Sequence, residues 1–339
     1  MAISGAYDYS VTASDIITAS LTDIQVLQNG ETADNNDITT ALRSLNLITK
    51  ELMGKPNVAP GLKRWTRKTL YQFLRLNKNI YTLCAIASSG DYCATGSYNQ
   101  GTTTASAASG QAVIAVTAMV SAPVYQATVT PATGDYVGVQ LSTGDFQWST
   151  VSGSPTLPGN ITFAANLTAT VNSGAQVYSF PVASQVNVPL DVLTLVRRDL
   201  NAIDYPTDKM ADIYEYEQLT NKNITSTPIQ WFYQKNLASG SLYINCVPST
   251  VTDVLRMICL YPIDDESVVG NTMAFPQQFY SLLRWLLAKD LAPAFGKVWT
   301  DTMQQNLEYA LISAAATDVE TVYQYFQPGR EGGNFNYTT

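Results

Sequence analysis

Between Tyr92 and Val186 the chain has no Lys and no Arg, and its only acids are Asp135 and Asp145. Thr, Ser, Ala, Val and Gly dominate this stretch, and Pro123, Pro131, Pro155, Pro158 and Pro181 cut it into short runs. A change of composition at both ends of a domain-sized segment marks a boundary. The expectation is a parent domain (1–91 and 187–322) split by an inserted β module (92–186), with a C-terminal arm at 323–339. Inside the insert, the runs 112–119, 125–130, 137–141, 146–151, 161–163 and 177–182 are β-branched and aromatic between Gly, Pro and Ser. Strands this short at this spacing predict an antiparallel sandwich or barrel. Thr143-Gly144-Asp145 and Asn172-Ser173-Gly174 read as turns.

Composition narrows the chemistry. The 339 residues contain no histidine, which removes most triad and acid–base mechanisms. The four cysteines, at 84, 93, 246 and 259, form no C-x-x-C pair, so no zinc site is expected, nor any other metal or cofactor. Small buried thiols are the expectation, and a Cys84–Cys93 disulfide is disfavoured in a reducing cytosol. A net charge of −8 argues against a protein that grips phosphates. No apolar run approaches the roughly 18 residues of a membrane span. The opening Met-Ala-Ile-Ser-Gly has no secretory character.

The flanks carry the helices. Thr12-Ala13-Ser14-Asp15 has the form of a capping box, followed by Ile17, Leu21, Ile24 and Gln28 at helical spacing up to a stop at Asn29-Gly30. A second helix starts near Asp34 and carries the stripe Ile38, Ala41, Leu42, Leu45, Ile48, Leu52. Pro276 is placed as the first residue of a Leu-rich helix closed by Pro293 and Gly296, and Thr300 caps a last one. Between them, Leu70–Leu76 and Ile80–Ile86 read as a hairpin around Asn77-Lys78-Asn79, with a helix over 66–76 as the competitor. The runs 230–235, 242–247 and 254–261 read as a three-stranded meander. The fold class expected is therefore α+β: a mainly helical body with a small β-meander and an inserted all-β module.

Taken in order, these features resemble the head-to-tail adaptor (connector) proteins of tailed bacteriophages, near the tail tubular protein A and packaged-DNA stabilisation families. The residues behind this are Ser14-Asp15-Ile16-Ile17-Thr18-Ala19-Ser20-Leu21 and Leu42-Arg43-Ser44-Leu45-Asn46 in the first half. In the second half they are Val188-Pro189-Leu190-Asp191-Val192, Leu242-Tyr243-Ile244 with Pro248, and Phe275-Pro276. Within the insert, Val137-Gly138-Val139-Gln140-Leu141 and Phe146-Gln147-Trp148-Ser149-Thr150 look like the small β modules of such adaptors. The resemblance implies a virion neck protein, a ring of about twelve copies between portal and tail nozzle, with DNA crossing its channel. It also implies a C-terminal extension that reaches the portal.

Three sets of residues are candidates for function. Tyr323, Tyr325, Phe326, Phe335 and Tyr337 load the tail with rings and suggest an arm that docks on another protein. Lys63, Arg64, Arg67 and Lys68 form the dense basic cluster and could touch DNA or an acidic partner; a solvated segment with Trp65 turned inward explains them equally. The alternative function gives the insert its own partner, a host glycan, decoration protein or tail fibre, with Tyr125, Tyr136, Phe146 and Trp148 either stacking on sugar or filling the core. An enzyme is not expected: the nearest carboxylate set, Asp212 with Glu215 or Glu217, has no cleft signature. Asp264-Asp265-Glu266 reads as a solvated turn rather than a metal site.

Overall fold

The computed structural model describes residues 9–54, 65–83, 91–122, 127–182, 188–236 and 239–318. The chain divides into two units, Met1–Trp65 with Ile263–Thr339, and Thr66–Pro262. This division falls well outside the limits that composition draws around 92–186. Its cause lies in which strands pair.

The first unit joins the two ends of the chain through helices. In α1 (Ala13–Asp23) the capping box is complete: the Thr12 hydroxyl accepts from the Asp15 N–H at 3.2 Å and the Asp15 carboxylate accepts from the Thr12 N–H at 2.9 Å. The helix stops short of Asn29-Gly30. Gln25 takes the left-handed conformation (φ 59°), and the Val26 N–H turns back to the Leu21 carbonyl at 2.9 Å. This is the bonding of a Schellman end, with a glutamine where glycine is usual.

In α2 (Asn35–Gly54) the stripe Ala41, Leu45, Ile48 and Leu52 is buried. A short helix, α3 (Ile213–Glu217), belongs to the other unit. Pro276 precedes a 3-10 turn, Gln277–Phe279, which runs into α4 (Tyr280–Ala294); α5 (Asp301–Asp318) follows, the Thr300 hydroxyl accepting from the Met303 N–H at 3.4 Å. Leu282, Leu283, Leu287 and Leu291 of α4 join Leu307, Ala310 and Ala314 of α5 in one aliphatic core with α1 and α2. Two polar contacts fix α1 to α4: the Ser20 hydroxyl donates to the Arg284 carbonyl at 2.9 Å, and Asp23 takes both arms of the Arg284 guanidinium.

The second unit is built of strands. In chain order these begin with β1 (Arg67–Phe73), β2 (Ile80–Leu83), β3 (Cys93–Thr95), β4 (Tyr98–Thr102), β5 (Val113–Val116) and β6 (Met119–Ala122). Then come β7 (Thr128–Val129), β8 (Tyr136–Gln140), β9 (Phe146–Thr150), β10 (Gly159–Thr162), β11 (Gln176–Phe180), β12 (Asp191–Arg198) and β13 (Asp204–Pro206). The last are β14 (Asp208–Lys209), β15 (Thr225–Ser226), β16 (Gln230–Lys235), β17 (Gly240–Ile244), β18 (Val247–Pro248) and β19 (Val254–Leu260).

Three main sheets result, in the orders β13-β12-β19-β1-β3, β7-β6-β4-β11-β8-β9 and β14-β16-β17-β2. Pairing in them is antiparallel except for the short β14–β16 contact. β5 pairs with β10, and β15 runs parallel to β18.

The mainly helical body is therefore corrected. Strands take 32% of the structure and helices 25%, and apart from the short α3 the described helices lie in one unit. The physical reason is long-range pairing. β1 and β2 do not form a hairpin: β1 pairs with β19 and β3, whereas β2 pairs with β17 in a different sheet. Asn77, at φ 57°, turns the chain from one sheet to the other. The meander breaks in the same way, because β16 and β17 pair but β19 crosses to lie between β12 and β1.

The uncharged stretch now has a local explanation. Its six-stranded sheet is covered on both faces, and β11 is buried along its whole length. One face holds an aliphatic core with Val137, Val139, Val177, Ile114 and Ile161. The other carries Tyr98, Phe146, Tyr178 and Phe180 into a ring cluster around Phe73 of β1, with centroids 5.1–5.6 Å away for the last two and Tyr98. β11, buried on both faces, cannot alternate charged and apolar residues, whereas the exposed turns of the stretch are uncharged because they are built mainly of Thr, Ser, Ala and Gly. The two acids are used locally. The Asp135 carboxylate accepts from the Ala132 N–H at 2.8 Å, and Asp145 accepts from Arg75 at 3.2 Å and from the Leu76 N–H at 3.1 Å.

Candidate functional site

The tail rings Tyr323, Tyr325, Phe326, Phe335 and Tyr337 lie outside the described residues, as do Lys63, Arg64 and Tyr125. Of the basic cluster, Arg67 and Lys68 open β1 on its exposed end, opposite Leu260 and Cys259. Lys68 holds its ammonium 5.6 Å from the centre of the Tyr261 ring. Trp65 is half-exposed rather than anchored inward.

The insert's rings are packed. Phe146 is buried, and Tyr136 packs on Phe180 at 5.3 Å and Tyr92 at 5.8 Å. The Trp148 ring lies over Gly138, where an added Cβ would meet it at 2.6 Å, and stacks on Tyr92 at 4.7 Å. A cleft of about 530 Å³ opens beside these rings, lined in part by Arg75, Asp145, Gln147 and Thr168. Arg75 is engaged there with Asp145, and the Gln147 amide with Thr168 and Asn166, whereas the buried Trp148 indole N–H has no hydrogen-bond partner among the described residues.

The carboxylates singled out as nearest to an acid pair have structural work. Asp212 caps α3, accepting from the Glu215 N–H at 2.9 Å; Glu215 accepts from the Ala211 N–H at 2.7 Å; and Glu217 pairs with Lys222 at 2.9 Å. Asp265 pairs with Lys50 at 2.6 Å, and the Glu266 backbone is strapped to the Asn46 side chain. Among the described residues no group of three or more Cys, Asp or Glu is placed to hold a metal, and no helix is long and apolar enough to cross a membrane.

Sequence reasoning missed an arginine network on the five-stranded sheet. Asp204 accepts from Arg198 at 2.6 and 2.8 Å and from Arg256 at 2.9 Å, and the Arg198 bond chiefly holds its carboxyl below the usual range. Asp253 receives Arg197, yet burial pushes its carboxyl up. The Arg197 guanidinium also lies 4.3 Å from the Tyr205 ring centre. With each acid matched to an arginine, the network holds β12, β13 and β19 together.

Large apolar side chains stand exposed on both units, and five of the six most exposed are on the helical one. Tyr9, Leu47, Val298, Tyr309 and Ile312 are each at least 66% exposed; the one comparable side chain described in the other unit is Tyr214, on α3. Single exposed apolar side chains are ordinary, but Tyr309 and Ile312, three residues apart, are neighbours on α5. Hydrophobic stripe analysis finds the buried side of each helix and passes over such residues. Leu47 is one position removed from the buried Ile48, a signal visible in the sequence of α2 once that stripe is drawn. Compared with models of known protein families and with curated proteins, the chain matches none.

Proposed function

We propose that the chain is a structural virion protein, a head-to-tail adaptor that joins the portal to the tail nozzle. Its helical unit makes the contacts between copies, and the C-terminal arm at 323–339 binds the portal. The observation that carries the reading is the exposed apolar set Tyr9, Leu47, Val298, Tyr309 and Ile312 on the unit that holds the 14–21, 42–46 and 275–276 segments of the resemblance. A protein that assembles with itself needs such a face, and closed rings follow when head-to-tail contacts repeat at a fixed rotation.

In this reading the copies, about twelve by resemblance, surround DNA without sequence-specific contact. The net charge of −8 suits a conduit that DNA crosses without sticking. Tail fibres are further candidate partners at the ring's periphery. The test is electron microscopy of the purified protein alone and mixed with portal rings, beside a chain lacking 323–339. Rings that stack on portal in the full chain and fail to stack without the arm support the proposal. A monomer in both conditions sinks it.

A further inference from the structure

Between α4 and α5 runs a groove of about 370 Å³, with Ser281 and Trp285 on one wall and Asn306, Tyr309 and Ser313 on the other. None of the described side chains that line it is charged. Ser281, Asn306 and Ser313 make no side-chain hydrogen bond among the described residues, and Trp285 is only half-buried. Ile312, three residues from Tyr309 on the same helix, extends the apolar rim. The groove has unused donors and acceptors, an indole face and no ion to desolvate.

The chain supplies a matching segment. Residues 321–329, Thr-Val-Tyr-Gln-Tyr-Phe-Gln-Pro-Gly, carry no charge, and aromatic and amide side chains dominate their middle. Burying an uncharged, amide-bearing peptide against an uncharged polar groove avoids the desolvation cost of a charged one. The reach also fits. Asn306 lies twelve residues before Asp318, or about 18 Å back along α5 at the helical rise. An extended chain spans that distance in about six residues, and enough residues follow Asp318 to supply them. Those are Tyr323–Pro328.

We propose that Tyr323–Pro328 docks in the α4–α5 groove of its own chain, with its rings against Trp285, Tyr309 and Ile312. Docking does not depend on the adaptor reading. In an adaptor it would cover part of the exposed apolar face until a partner draws the arm away.

The experiment uses the full chain with p-benzoylphenylalanine at position 309, mixed as isotopically light and heavy copies and irradiated. Cross-links to peptides from 319–339 within one copy are the expected result. Cross-links only between light and heavy copies overturn it and seat a second copy's arm in the groove. No cross-link to 319–339 overturns docking altogether. A second readout uses Arg330, the one tryptic site in 319–339. Ser313→Lys, an exposed change that brings a charge into the groove, is expected to speed cleavage after Arg330 about tenfold, since cleavage follows the undocked population. An unchanged rate in that variant also overturns the proposal.

Discussion

The two units hold themselves together by different means. The helical unit has an aliphatic core laid down by stripes on α1, α2, α4 and α5, with one buried hydroxyl and one arginine–aspartate pair fixing α1 to α4. The β unit centres on rings drawn from distant parts of the chain, and it also buries charge. Asp91 is fully buried, where it accepts from Lys78 and, at 2.7 Å, from the Thr82 N–H. Leu and Ala cores tolerate rearrangement because their neighbours can slide. Rings stacked at fixed angles and ions without water have one good arrangement, so errors cost more there.

The sharpest way to break this comparison is Phe73→Ala. Phe73 touches Tyr98, Trp148, Tyr178 and Phe180, so its loss is expected to destabilise the β unit by about 3–5 kcal/mol. Denaturant melts followed by near-ultraviolet circular dichroism should show that unit unfolding early while helix content persists. Simultaneous loss of both signals would show that the units are not separate in stability. Next is Gly138→Ala. Its Cβ would meet the Trp148 ring at 2.6 Å, and Trp148 is already stacked on Tyr92, so overpacking should cost about 2–3 kcal/mol. A stability equal to that of the unaltered chain would mean that the Trp148 ring moves freely, and the cleft beside it would then deserve a second test as a ligand site.

A smaller effect is expected in the helical unit. Thr12→Ala removes half of the capping box and should cost about 1 kcal/mol, read as a lower midpoint of helix loss. Smallest is a difference in acid response. Asp15 is held below its usual range chiefly by the Thr12 hydroxyl, and Asp204 chiefly by Arg198. Each contributes stability that is complete above about pH 4, the unfolded value, and fades as pH falls through the lowered folded value. Asp253 runs the other way: its raised value favours the folded state at low pH, and that contribution is lost as pH rises through it. The β unit should therefore respond to acid through opposed groups. Asp204→Asn should flatten the acid side of its stability profile, and Thr12→Ala should do the same for the helical unit. Profiles that keep their slopes would remove these carboxylates from the account.

The helices were legible because their signals are local. A capping box, a stripe at helical spacing and a Pro or Gly stop all fall within a few turns; α2 and α5 appear where those signals place them, whereas α1 ends at Asp23 before Asn29-Gly30, and α4 starts at Tyr280 after Pro276 and runs through Pro293. The end of α1 was less legible, since Gln25 adopts a conformation usually marked by Gly. Strand positions were also mostly visible. Their partners were not, because nothing near Leu70 or Ile80 records that one joins Met257 and the other Tyr243. Of the exposed set, Leu47 could be read beside the α2 stripe, but the others were hidden, as exposure is set by what packs elsewhere.

The sequence by itself determined where the helices stand, that the chain has no histidine chemistry, and that 92–186 would be strands with almost no charge. Only the tertiary structure decided that this stretch shares its ring core with β1 rather than standing apart. It also set the limits of the unit that the two ends form at Trp65 and Ile263, where the sequence drew them at 91 and 187. The physical reason is range. Propensity and periodicity act over a few residues, whereas a sheet edge or a ring cluster is completed by residues far along the chain, whose arrival depends on the whole fold.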